Sequence, residues 1–97
     1  MAEFFRVEGD SMLPTLRAHD VLLTFLTQNI KKGDVVVVQT YMGLVVKRIQ
    51  EFHGATVILR GDNGALDSSI CNQPLAVAGI VGKVLWRFRL PFSFARP

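Results

Sequence analysis

Four consecutive valines, Val35 to Val38, constrain this chain more than any other feature. β-Branched side chains are stiff at χ1 and suit a pleated surface, so the run is the strongest strand signal in the sequence. Turn chemistry brackets it. Asn29 to Asp34 reads as a polar loop containing Lys32-Gly33-Asp34, and Tyr41-Met42-Gly43 as a hairpin connection into a second strand, Leu44 to Gln50. His53-Gly54 makes another turn into Thr56 to Arg60. Upstream, Phe5 and Val7 alternate with Arg6 and Glu8 as a first strand, and Val21 to Leu26 reads as a short buried strand. Downstream, Gly61 to Gln73 is a loop rich in Gly, Asp, Asn and Ser. Leu75 to Val84 reads as a bent strand with glycines at 79 and 82. Six or seven short strands with turns between them predict a mainly β fold with little helix, in one domain over residues 1–97.

Composition narrows the function classes. A chain of 97 residues buries roughly 65% of the surface its unfolded form exposes, enough for one core without staples. The net charge is +3, but the basic residues are scattered and no block of five or six like charges occurs, so a nucleic-acid partner is not expected. The single cysteine, Cys71, forbids an intramolecular disulfide and leans toward a cytoplasmic setting. His19, His53 and Cys71 show no metal-ligand spacing, and no cofactor is implied. No apolar run reaches the roughly 18 residues of a membrane span, and the first ten residues lack the apolar core of a secretory signal peptide.

Two places can carry chemistry. Ser11 follows Gly9-Asp10 at a strand-to-turn junction, with Pro14 near the start of a turn or single helical turn ending at Leu16. Such a junction can present a hydroxyl and a free backbone N–H at one spot, which acyl transfer needs from a nucleophile and its oxyanion site. A serine near a turn is also the ordinary turn builder. Lys47 shares its strand face with Val45 and Ile49, whereas Arg48 lies on the other face with Val46 and Gln50. Burial disfavours the charged form of a lysine side chain, and a neutral amine can take a proton from a serine hydroxyl without histidine or aspartate. An edge lysine with its charge in water fits the same pattern.

The stretch Gly9-Asp10-Ser11-Met12-Leu13-Pro14-Thr15-Leu16 closely resembles the nucleophile box of type I signal peptidases, and its Gly-x-Ser-Met core resembles LexA-type repressors and UmuD. Val46-Lys47-Arg48-Ile49 is similar to their lysine box, and Lys32-Gly33-Asp34-Val35-Val36 to the Gly-Asp-strand box between. Arg60-Gly61-Asp62-Asn63 resembles the signal-peptidase Gly-Asp-Asn box, and Val77 to Val84 the glycine-punctuated strand near the family's end. The boxes stand in the family's order and cover most of the chain. The resemblance implies coiled, mostly antiparallel β-sheets with a short helical turn at the nucleophile. It implies a serine endopeptidase with a Ser11–Lys47 dyad, an acyl-enzyme intermediate and the Ser11 N–H as oxyanion donor.

Some positions depart from the family pattern. Gly9 stands where some signal peptidases add a hydroxyl, and cannot supply one. After Gly-Asp-Asn the family places a serine that orients the lysine. Here an ungapped alignment gives Asp67 and a one-residue shift gives Ser68, which is preferred because a carboxylate beside Lys47 would favour the ammonium. Asp62 and Asn63 read as turn builders and Met12 as a wall of the cleft. His19 and His53 read as surface turn residues, Cys71 as a semi-buried structural thiol, and Ala76-Val77-Ala78-Gly79 as part of a core strand.

Neither the membrane anchors of signal peptidases nor the DNA-binding domain and cleavable linker of LexA fit before Ser11, so cleavage in trans of another protein's leader is the expected activity. Small soluble relatives of this kind include maturation proteases of nickel-type superoxide dismutase. The competing reading is a non-catalytic LexA/UmuD-like dimerisation or interaction domain, and a homodimer fits either. At the C-terminal end, Val84, Trp86, Phe88 and Leu90 alternate with Leu85, Arg87 and Arg89, and Phe92 and Phe94 follow Pro91. Aromatics beside basic residues suit peripheral contact with a membrane interface, and equally a last strand packed on the sheet.

Overall fold

The computed structural model describes residues 2–27, 29–64, 73–89 and 93–97. The valine run opens a strand in which Val35, Val36, Val37 and Val38 are all buried, at 0–2% exposure. Alternation sends Val35 and Val37 into one cluster with Val7, Met12, Leu16, Leu22 and Val84. It sends Val36 and Val38 into a second, with Ile49, Val57, Leu59 and Ile80. A stretch of strand covered on both faces has to be apolar at every position, and Val35 to Val38 are.

Eight strands are built among the described residues. They are β1 (Ala2–Arg6), β2 (Val21–Phe25), β3 (Val35–Thr40), β4 (Gly43–His53), β5 (Thr56–Arg60), β6 (Leu75–Ala76), β7 (Ile80–Arg89) and β8 (Ser93–Ala95). All pair antiparallel in the order β1-β2-β7-β3-β4-β5-β6, with β8 beside β7. The fold is therefore mainly β, as the turn spacing predicts. Gly43 (φ 93°) and Gly54 (φ 62°) close the β3–β4 and β4–β5 hairpins with positive φ.

Three expectations need correction. The stretch from Leu75 to Val84 is not one bent strand, because a 3-10 turn at Val77–Gly79 interrupts it after the short β6. Val77 N–H donates to Ala55 O (2.9 Å), which ties that turn to the β4–β5 hairpin. The Ala76–Gly79 stretch is thus a partly exposed turn, not a core strand. β4 runs on to His53, past Gln50, through a register shift between Ile49 and Glu51 that lets polar residues continue the ladder. No helix among the described residues is long and apolar enough to cross a membrane.

Candidate active site

The Ser11 turn is fixed at both ends. Val7 N–H donates to Asp20 O and His19 N–H to Val7 O, each at 2.8 Å, which closes the loop between β1 and β2. His19 has positive φ (74°) in that closure, a conformation that histidine takes more readily than most non-glycine residues. Asp20, 2% exposed, receives Arg89 through two hydrogen bonds of 2.8 Å and the Arg17 N–H at 2.9 Å. Burial works against its charge, yet the Arg89 hydrogen bonds win and hold the carboxyl below the usual range. Gly9 turns the chain with φ 77°, and Leu16 N–H donates to Met12 O (2.9 Å) to close one helical turn. Met12 and Leu16, at 2% and 0% exposure, plug that turn into the core. Ser11 stands half-buried at its head, and its N–H donates to no backbone carbonyl among the described residues.

Lys47 lies on β4 opposite Val36 and is 4% exposed. β3 covers one edge of β4 from Gly43 to Arg48, whereas β5 covers the other edge only from Arg48 to His53. The second edge of Gly43–Lys47 therefore carries no strand among the described residues. The Ser11 turn stands beside this gap, held there by the segment that leaves β5.

That segment is Gly61-Asp62-Asn63. Gly61 passes so close to the Ser11 carbonyl that a Cβ on it would sit 2.6 Å from the oxygen. Asn63 donates its backbone N–H to Ser11 O (2.9 Å) and its side-chain amide to Asp10 O (3.0 Å). Asp62 accepts the Thr15 hydroxyl on the Ser11 turn, and from β4 it accepts Arg48 Nε and Nη2, each at 2.8 Å. Arg48 also donates Nη1 to Gly33 O (2.7 Å). One carboxylate thus joins the Ser11 turn to the residue beside Lys47. The Arg48 hydrogen bonds hold the Asp62 carboxyl below the usual range, and Asp62 in turn raises Arg48.

A cleft of about 170 Å³ opens where these pieces meet. It is lined by Arg6, Val7, Glu8, Ser11, Met12, Leu44, Val45, Val46 and Lys47. The predicted nucleophile, the predicted base and the predicted wall share this cleft. No hydrogen bond joins the Ser11 and Lys47 side chains among the described residues. Gly9 serves the turn conformation; Ser68, Asp67 and Cys71 lie outside the described residues. His53 is exposed and bonded to Glu51 at 2.8 Å, away from the cleft. No group of three or more potential metal ligands occurs among the described residues.

Sequence reasoning missed the joint made by Thr15, Arg48 and Asp62. Asp62 and Asn63 build more than their own turn, since they hold the Ser11 turn in place. A signal for this existed. The β4–β5 hairpin places Arg48 opposite Arg60, and two facing arginines call for a counter-ion, with Asp62 two residues on.

The model of the Peptidase S24-like family matches residues 2–85 of the chain. No curated protein matches it.

Proposed function

The chain belongs to the Peptidase S24-like family, and on that premise we propose that it is a serine endopeptidase working through a Ser11–Lys47 dyad on another protein's leader. The observation that carries the reading is the shared cleft. A serine at the head of a clamped turn and a lysine at 4% exposure both line the same small cleft. The edge of Gly43–Lys47, which no strand among the described residues covers, supports it, because an extended peptide can pair there by strand addition and bring its backbone carbonyl past Ser11.

The chemistry follows from the residues. Lys47, in its neutral form, takes the proton of the Ser11 hydroxyl as Oγ attacks the peptide carbonyl carbon. The Ser11 N–H stabilises the oxyanion. The C–N bond breaks, the Lys47 ammonium returns its proton to the leaving amine, and an acyl ester remains on Ser11. Water, deprotonated by Lys47, then hydrolyses that ester and restores both side chains. The narrow, mostly apolar lining by Val7, Met12, Val45 and Val46 supports small side chains at the cleaved bond and two positions before it.

The test is a library of extended peptides read by product mass spectrometry with wild-type protein and Ser11→Ala. The reading expects cleavage after small residues by the wild type alone. A folded wild type that cleaves nothing, or a preference for large or charged residues, contradicts it. The first of those outcomes is what a non-catalytic dimerisation or interaction domain gives.

A further inference from the structure

The half of the sheet formed by β1, β2, β7 and β8 has two unlike faces. The inner face carries Phe5, Leu22 and Arg87 in register, and Leu22 is fully buried in the core around the Ser11 turn. The outer face carries two rows. One runs Phe4, Leu23, Trp86, and the other Arg6, Val21, Phe88, Phe94. Phe25, paired with Ala2, adds to the same side. Five of the eight aromatics among the described residues therefore stand on one sheet face. Phe4 and Phe94 are 67% exposed, and Phe88 and Phe25 are also exposed. The Phe88 ring is tilted against its neighbours, its centroid 6.5 Å from that of Phe4 and 6.3 Å from that of Phe94, and Trp86 meets Phe94 edge-on at 6.0 Å, so that these four form a continuous apolar surface. The last strand pairs with β7 and leaves Phe94 exposed.

The charges around this face have one sign left over. The outer positions of the four strands bear no acid. Arg6 is paired at the margin with Glu8 (3.2 Å), and Lys83 with Asp34 (3.2 Å). Arg96, exposed, lies over the Trp86 ring at 5.4 Å and has no acidic partner among the described residues. A second copy meeting this face with its own outer strand positions would bring no acid there to meet Arg96. A layer of lipid phosphates would, while the phenyl rings enter the headgroup–acyl boundary.

We propose that this aromatic face docks the protein on an anionic phospholipid surface. Arg6 belongs both to the face and to the lining of the Ser11–Lys47 cleft, so a protein docked this way holds the cleft at the margin of the membrane. The proposal does not depend on peptidase activity.

Trp86 is the only tryptophan and reports directly. The experiment titrates the full chain with vesicles of phosphatidylglycerol and phosphatidylcholine, or of phosphatidylcholine alone, and follows Trp86 emission and co-sedimentation. The expected result is a blue shift and binding with anionic vesicles only. Phe4→Ser with Phe94→Ser should weaken binding at least tenfold with an unchanged melting temperature, both side chains being exposed. Arg96→Gln should weaken it about fivefold, the share of one cation near the surface. Absence of binding to either vesicle, equal binding to both, or binding untouched by the double phenylalanine change would overturn the proposal. So would a dimer in sedimentation that the same double change dissociates, since the face would then be covered by a second copy.

Discussion

Replacing Asp62 with alanine should be among the most damaging single changes near the cleft. Asp62 and Arg48 have side chains only 10% and 17% exposed. The change removes two charge-assisted hydrogen bonds from Arg48 and the hydroxyl bond from Thr15. Arg48 keeps one partner, Gly33 O, for a mostly buried cation. Breaking a buried pair by removing one partner costs about 3–5 kcal/mol. Residual water access at this site lowers that to about 2–4 kcal/mol. For a domain of this size each kcal/mol moves the melting temperature by roughly 4–8 °C, so a fall of at least about 8 °C is expected. Arg48→Met added to Asp62→Leu removes both charges and should recover much of the loss, a coupling that urea unfolding of the four-protein cycle measures. A cost below about 1 kcal/mol for Asp62→Ala, or full additivity in the cycle, would refute the view that this pair joins the Ser11 turn to β4.

The approach of Gly61 to Ser11 gives a second expectation. Gly61→Ala forces its Cβ against the Ser11 carbonyl oxygen at 2.6 Å and should cost about 1–3 kcal/mol in melting experiments, with a larger relative loss in kcat than in KM if Ser11 is the nucleophile. Acid should destabilise the fold through Asp62 and Asp20. Both carboxyls are held below their ordinary range when folded, so their contribution is full above about pH 4 and is lost as pH falls from there through the folded values. Melting temperature against pH should drop below about pH 4, and more shallowly in Asp62→Asn.

The parts of this fold written in local chemistry were open to reading. Val35–Val38 and Thr56–Arg60 announce strands through β-branched and apolar runs, and Gly43 and Gly54 mark hairpins by the positive φ they take. Ser11 and Lys47 were legible as box residues, and their meeting in one cleft follows from where β5 stops beside β4. Long-range polar pairing was not legible. Thr15 and Asp62 are 47 residues apart, and Asp20 and Arg89 are 69, separations that leave no periodic trace. The break at Val77–Gly79 was hidden because its residues are as apolar as the strand after it. The alternation around Trp86 and Phe88 was plain, but the exposure of Phe4, Phe88 and Phe94 depends on tertiary packing alone.

The central claim rests on Lys47 as the base for Ser11, and the most direct measurement is cleavage by Lys47→Met set beside its thermal stability. Methionine keeps the buried volume and removes the amine, so the fold should melt at the wild-type temperature or higher. Cleavage of a peptide that the wild-type protein cuts should disappear, and Lys47→Arg should fail as well, because a guanidinium does not give up its proton near neutral pH. A folded Lys47→Met protein that still cut this peptide at near wild-type rate would contradict the dyad.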